Sequence, residues 1–330
     1  MLLLRVLRGG ERNFATCSKP MPLRIAVVGV GHLGRRHARI VSSLRGAELV
    51  GVVDKNRARA EEVASATGTR AFVDYREVLS MVDAVALAVP TEIHAEIAVA
   101  CLEAGGAVLV EKPMARSVGE ADAMIDEASR AGVVLAVGQT ERFNPAVAAA
   151  RPFLTDPRFI EVHRLGTFPE RSLDIDVVFD LMIHDLDIVL SLVRSEVESI
   201  DAVGVPVLTG RVDIANARLR FVNGCIANLT ASRISRDRVR KIRFFQPMAY
   251  LSIDYAMQKV EHWRLVKNDG PLPAIEGGEI EVVSEEPLKR ELADFVDAVT
   301  RRRAPLVTGE DGRRALALAQ QIADKMTIEM

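Results

Sequence analysis

Three places in the chain combine residue types and spacings that can do chemistry. Gly29-Val30-Gly31-His32-Leu33-Gly34 is a G-x-G-x-x-G set between an apolar run and a helical stretch. In such a turn the first glycine permits the sharp bend and the second lets the backbone approach a pyrophosphate. The third lets helix and strand pack closely, and the helix N-terminus adds N–H donors and a positive dipole. Asp54 closes the next apolar run 20 residues after Gly34, where a carboxylate accepts from the 2′-hydroxyl of an adenosine ribose. It would repel a 2′-phosphate, so NAD is expected over NADP, although Lys55 and Arg57 stand where a cation could serve that phosphate. The bland alternative, a glycine turn with a surface aspartate, lacks a reason for the strand before it and the helix after it.

The second place is Glu111-Lys112-Pro113, directly after the apolar run 107–110. An open parallel sheet binds its ligands at that carboxyl edge. A lysine there can polarise a hydroxyl or carbonyl, and Pro113 stiffens the turn; an isolated Glu-Lys pair is as often a surface ion pair. The third place is the helical stretch 178–193. Asp180, His184, Asp187 and Ser191 lie at i, i+4, i+7 and i+11, one polar stripe on a helix otherwise rich in Val, Phe, Leu, Met and Ile. Burying unpaired acids and a histidine is costly. A lone histidine there reads as a satisfied core residue, whereas one with an aspartate a turn away and a lysine elsewhere reads as a general base.

Elements must position these groups. Apolar runs at 23–30, 48–53, 71–73, 84–88, 107–110 and 133–137 alternate with helical stretches at 34–44, 57–66, 75–81, 93–104 and 118–131. That alternation predicts an α/β Rossmann domain, a doubly wound parallel sheet, over 22–145. Strand-like segments then cluster at 159–167, 197–208, 212–222, 225–233, 240–246 and 249–255. In the third of these Ala215, Ala217, Leu219 and Phe221 alternate with Asn216, Arg218 and Arg220, and Asn223-Gly224 supplies a hairpin turn. With helices at 176–193, 288–302 and 310–326, residues 146–330 predict an α+β domain for substrate binding and oligomerisation. Its sheet is expected to be open and mainly antiparallel, and its C-terminal helix to pack back on the first domain.

The 330 residues suffice for about two domains. Basic and acidic side chains number 43 and 45, a net charge of −2, which predicts no general affinity for nucleic acid or a membrane surface. Cys17, Cys101 and Cys225 show neither disulfide nor metal-ligand spacing; a reducing, cytoplasmic setting and no metal are expected. Asp180, His184, Asp185 and Asp187 interrupt the most apolar stretch, so no membrane span is expected. Residues 1–21 are expected to be a disordered extension, its Leu2–Leu4 run too short for a signal peptide.

The sequence resembles the Gfo/Idh/MocA family of nicotinamide-dependent sugar oxidoreductases over about residues 22–327. The resemblance rests on the glycine set, Pro90 with His94, Glu111-Lys112-Pro113, Asp180-x-x-x-His184 and Gly309-Glu310-Asp311-Gly312. It implies catalytic roles for Lys112, His184 and Asp180. It also implies cofactor contacts from Gly29, Gly31, His32, Leu33, Gly34, Asp54, Pro90, His94, Glu111 and Lys112, and a homodimer or homotetramer joined through the open sheet.

Within that family, Val137 to Pro145, Asp180 to Asp185 and Ala231 to Arg236 are similar to members that oxidise the C3 hydroxyl of UDP-N-acetylglucosamine. This implies a sugar-nucleotide substrate with contacts from Arg142, Asn144, Asp180 and His184. The resulting 3-keto sugar would pass to an aminotransferase in 3-amino sugar synthesis of the lipid A type. The chain departs from the family at Gln246-Pro247-Met248-Ala249, where glycines are common. The basic run Arg233, Arg236, Arg238, Arg240, Lys241 and Arg243 fits a pyrophosphate, with Arg233 the expected pocket residue. Rival readings are a dehydrogenase of a free polyol such as inositol or of a UDP-N-acetylglucosamine uronate, and a non-catalytic NAD-binding regulator.

Overall fold

The structure, a computed structural model, describes residues 21–168, 175–267 and 273–328. The expected extension over residues 1–21 therefore lies, but for Met21, outside the described residues. Six parallel strands, β1 (Leu23–Val28), β2 (Ala47–Val53), β3 (Arg70–Phe72), β4 (Ala84–Leu87), β5 (Ala107–Glu111) and β6 (Leu135–Gly138), form a sheet in the order 3-2-1-4-5-6. Their crossovers carry α1 (Gly34–Val41), α2 (Arg57–Thr67), α3 (His94–Glu103) and α4 (Val118–Ala131). β1, β4 and β5 read as continuous apolar runs because helices cover both faces of the sheet. The order reverses between β1 and β4, which opens a crevice at their carboxyl ends.

A short helix, α5 (Pro145–Ala150), leads to the second sheet. Its nine strands are β7 (Phe159–Leu165), β8 (Val197–Val205), β9 (Ile214–Phe221), β10 (Ile226–Ser232), β11 (Val239–Gln246), β12 (Ala249–Asp254), β13 (Lys259–Val266), β14 (Ala274–Ile280) and β15 (Thr327–Ile328). They run in the order 14-13-12-11-7-10-9-8-15. All neighbours are antiparallel except β7 with β10 and β8 with β15. The alternation read in β9 is observed residue by residue: 215, 217, 219 and 221 are buried and 216, 218 and 220 exposed.

Between β7 and β8 lies α6 (Ile183–Leu192), entered through a π-helical turn at Val178–Met182. Two helices close the chain, α7 (Pro287–Arg301) and α8 (Gly309–Lys325). The apolar stripe of α7 places Leu288, Leu292 and Phe295 in one core with Ile25, Val27 and Leu109 of the first sheet. Truncating Phe295, 1% exposed, to Ala would cost about 3–5 kcal/mol. α8 serves both sheets: Leu316 packs with the first and Ala315, Leu318 and Ile322 with the second. Gly312 sits against Val137 so closely that a Cβ would fall 2.6 Å from its Cγ2. The two sheets thus meet along α8 and the segment 139–145, and Lys112 and Asp180 meet at that junction.

At Gln246-Pro247-Met248-Ala249 the chain makes a two-residue turn between β11 and β12 without glycine. Met248 takes φ +65° there, with its side chain exposed. Pro247 presets the preceding φ, so the turn closes with a left-handed methionine where other sequences spend a glycine.

Candidate active site

The glycine loop follows β1 at the crevice. Gly29 has φ +84°, and a Cβ there would lie 2.7 Å from the Ala88 carbonyl oxygen. A Cβ on Gly34 would strike the Gly29 carbonyl, so α1 closes onto the loop only because position 34 has none. Around Gly31 there is nothing within 4 Å of such a Cβ. The backbone here borders open space, the cradle a pyrophosphate needs. His32 and Leu33 are exposed on the same loop.

Asp54, at the end of β2, reaches back to this loop. Its Oδ2 accepts from Val30 N–H at 3.1 Å and its Oδ1 from Asn56 N–H at 2.9 Å. The nearby cation is Arg59, 3.3 Å from Oδ2; Arg57 turns instead towards Glu61 at 3.9 Å. The loop and carboxylate fit a dinucleotide. Bound there, it would rest its pyrophosphate on the 29–34 backbone and its adenosine ribose on Asp54.

Lys112 leaves the carboxyl end of β5 through a cis Lys112-Pro113 bond. His94, at the start of α3, fastens this loop: its Nδ1 faces the Pro113 carbonyl at 3.0 Å and its Nε2 the Val89 carbonyl at 2.9 Å. Burial depresses the His94 pKa against the pull of those carbonyls. The ring is 1% exposed. Its observed contacts are with the loop backbone, which shapes the floor of the site. Pro90 precedes it and stays exposed.

Glu111 points the other way, beneath the loop. His37 Nε2 donates to its Oε1 at 2.8 Å, and Lys112 N–H donates to its Oε2 at 3.2 Å. Glu111, expected among the cofactor contacts, has its side chain buried here. Glu291 of α7 joins it there, 1% exposed, with neither carboxyl oxygen in a well-formed hydrogen bond among the described residues. Burial, then the charge of Glu111, pushes the Glu291 pKa well above the ordinary range. Donor atoms of His37, Glu111 and Glu291 lie within 4.8 Å of one another.

Both other catalytic candidates come from the α6 segment. Lys112 Nζ donates to the Asp180 carbonyl oxygen at 2.6 Å and lies 3.3 Å from its Oδ1. His184 stands one turn on, its ring half-buried and its Nδ1 sealed off without a partner. Nε2 is the ring nitrogen left for the cleft. The Asp180 carboxylate goes to Lys112, and no hydrogen bond joins it to His184 among the described residues. The π turn widens the helix over 178–182, which rotates position 180 away from the face that an α-helix would share with 184. Burial, followed by the charges of Lys112, Arg164 and Arg240, holds the His184 pKa well below its usual value.

The remaining polar groups of α6 are paired behind the site. Arg164 Nε bonds Asp185 at 2.6 Å, and its Nη1 meets Glu141 at 3.1 Å. Burial opposes the charge on Arg164, but Asp185 and Glu141 outweigh it and raise its pKa. Arg142 Nε bonds Asp187 at 2.8 Å, both buried. Asn144 caps α5 by accepting from Ala146 N–H at 3.0 Å and donates to the Tyr255 carbonyl at 3.0 Å.

Arg142 and Asn144, expected as substrate contacts, are thus committed to the framework. So is Arg233: its Nε donates to Asp213 Oδ1 at 2.8 Å, and it is 2% exposed. Asp213 is ionised well below the ordinary carboxylate range: burial opposes this, but N–H and O–H donors from Leu208 and Thr209, with Arg233, prevail. A depression of about 540 Å³ behind α6, lined by Arg151, Arg194 and Arg314, includes none of Lys112, Asp180 and His184.

Two groups were missed in sequence although their spacing signalled them. His37 follows Gly34 by three and precedes Val41 by four, on the buried face of α1. Glu291 falls three after Leu288 and four before Phe295, inside the apolar stripe of α7.

A glycine cradle at the switch point of a parallel sheet, facing a lysine and a histidine at the junction with a second sheet, defines a nicotinamide-dependent oxidoreductase. The chain belongs to the Gfo/Idh/MocA family. Residues 23–139 match the oxidoreductase family model with an NAD-binding Rossmann fold, and residues 154–245 match the Gfo/Idh/MocA C-terminal domain.

The UDP-N-acetylglucosamine 3-dehydrogenase of Acidithiobacillus ferrooxidans is 38% identical over 91% of this chain and 96% of its own length. Its solved structure superposes with a TM-score of 0.87, covering 93% of this chain and 98% of that one at 37% identity. Myo-inositol 2-dehydrogenase of Thermotoga maritima is 27% identical over 90% of this chain and 94% of its own. A levoglucosan dehydrogenase in complex with NADH, 19% identical, shares the fold with a TM-score of 0.82 over 92% of this chain and 97% of its own. No helix among the described residues is long and apolar enough to cross a membrane.

Proposed function

We propose that this protein oxidises the C3 hydroxyl of UDP-N-acetylglucosamine with NAD⁺, giving the 3-keto sugar nucleotide that an aminotransferase then consumes in 3-amino sugar synthesis. The observation that carries the reading is the meeting of Lys112, from the first sheet, with Asp180 beside His184 at the cradle's edge. The A. ferrooxidans relative, alike along almost its whole length, supports the substrate. NAD rather than NADP is supported by the Asp54 carboxylate beside the loop.

When bound, NAD⁺ supplies the hydride acceptor. The protein's own part is proton and charge handling. His184, kept neutral by burial and surrounding cations, takes the hydroxyl proton at Nε2. Lys112, fixed by both oxygens that Asp180 offers, stabilises the negative charge growing on the substrate oxygen.

Association of copies through the second sheet is supported by a cross-strand row on its uncovered face. Phe159, Phe245, Tyr250 and Trp263 stand opposite one another on β7, β11, β12 and β13. Phe245 and Trp263 are exposed.

The test is NADH formation with UDP-N-acetylglucosamine, against myo-inositol and the UDP-uronate. A 3-keto-sugar aminotransferase and glutamate are added to remove product. NADH only with the UDP-amino sugar, together with a 3-amino product, supports the reading. Turnover of another sugar alone discards the substrate and keeps the Lys112 and His184 chemistry.

A further inference from the structure

The basic run 233–243 is sorted by the sheet. Arg233 is buried on Asp213. Lys241 and Arg243 project from one face of β11 and are matched there, Lys241 to Asp254 at 3.4 Å and Arg243 to Glu161 at 2.7 Å. Arg238 donates to Thr167 Oγ1 at 3.2 Å, and Arg236 lies on the turn after β10.

Arg240 differs from all of them. Successive residues of a strand point to opposite faces, so Arg240 shares its face with Ile242 and Phe244, which are fully buried. It stands where that cover ends, and it is itself exposed. Across the ladder it is opposite Arg164, whose guanidinium holds Asp185, the neighbour of His184. Its side chain makes no hydrogen bond or ion pair with a described residue, yet its charge acts on both His184 and Asp185. An exposed guanidinium paired across the ladder with an arginine already neutralised by two carboxylates leaves a positive charge to be answered by a ligand.

We propose that Arg240 binds the diphosphate of the substrate, and so separates a sugar nucleotide from a free polyol. This rests on the sugar-nucleotide reading above and assigns the phosphate contact to Arg240 in place of Arg233. The planar guanidinium can meet two phosphate oxygens at once, which an ammonium cannot.

The experiment compares the full-length protein with its Arg240→Gln and Arg240→Lys variants. Steady-state kinetics use NAD⁺ and UDP-N-acetylglucosamine, and calorimetry follows UDP binding to the NAD-loaded protein. Arg240→Gln should raise both KM and the UDP Kd about 10- to 100-fold, with a smaller change in kcat. Arg240→Lys should recover part of the loss. Thermal midpoint and NAD affinity report the fold, which an exposed side chain does not decide.

If Arg240→Gln matches the parent in KM and UDP affinity while the parent oxidises UDP-N-acetylglucosamine, the assignment is wrong and the proposed function stands. A parent that neither binds UDP nor uses the UDP sugar removes both.

Discussion

The ε-ammonium of Lys112 donates to the Asp180 backbone carbonyl at 2.6 Å and lies 3.3 Å from the same residue's carboxylate. One residue of the second half of the chain thereby anchors the lysine of the first. The carbonyl contact survives any substitution at position 180, whereas the carboxylate contact does not. Lys112→Ala should lower kcat about 10²–10³-fold with NAD affinity retained, the range for losing one preorganised charge. Asp180→Asn should cost less, on the order of tenfold, since the main-chain anchor remains. Stopped turnover assays with NAD titrations check both; near-parental kcat in Lys112→Ala would show that the lysine is not in the chemistry.

His184 should set the acid side of the pH profile if it takes the proton as proposed. Burial, with Lys112, Arg164 and Arg240 around the ring, depresses its pKa, so the proton-accepting form persists below the usual histidine value of about 6.5. The acid limb of kcat/KM should therefore have its midpoint below about 6.5, with activity falling only as pH drops through it. Replacing Arg240, one of those cations, with Gln should move this limb upward. His184→Asn should lower kcat about 10²–10⁴-fold and abolish the limb. An acid limb centred above neutrality would assign the base to another group.

The outline of this site was legible because its signals are local. A glycine set, a carboxylate at a strand end and an alternating strand each specify geometry within a few residues, and β1, Asp54 and β9 take that geometry. What escaped depends on distant partners or on helix phase. Arg233 looks like a phosphate ligand until Asp213, 20 residues back, is seen beneath it. Asp180 and His184 at i and i+4 share a face only on a regular α-helix, and the π turn breaks that rule. β13 and β14 went unread because they lie at the sheet's margin, mostly exposed, with Gly277-Gly278 interrupting any apolar period.

The Asp54–Arg59 pair gives a test of cofactor choice. At present Arg59 is occupied by the carboxylate at 3.3 Å. Asp54→Ser removes the charge that repels a 2′-phosphate and frees the Arg59 guanidinium on the first turn of α2 to receive it. The ratio of kcat/KM for NADP to that for NAD should rise about 10- to 100-fold, through loss on NAD and gain on NADP. Adding Arg59→Ala to Asp54→Ser should cancel the NADP gain. Parallel titration of the two cofactors measures this, and an unchanged ratio would place the ribose elsewhere.

Glu291 carries the last prediction, and its sign can be worked out. It is buried beside Glu111 with its pKa raised well above the ordinary glutamate value of about 4.5, so the folded protein holds a proton there that the unfolded chain releases above about pH 4.5. Folding must then take up that proton, and the stability present at low pH is lost as pH rises towards the folded-state pKa. The loss runs at up to about 1.4 kcal/mol for each pH unit. Glu291→Gln keeps the shape without the titration. Its thermal midpoint should exceed the parent's at pH 8, on the order of 1–2 kcal/mol of added stability, and the gap should shrink towards pH 5. Thermal melts across pH 5–8 decide it: parallel curves for the two proteins would mean that Glu291 is ionised in the fold and held by a counter-charge.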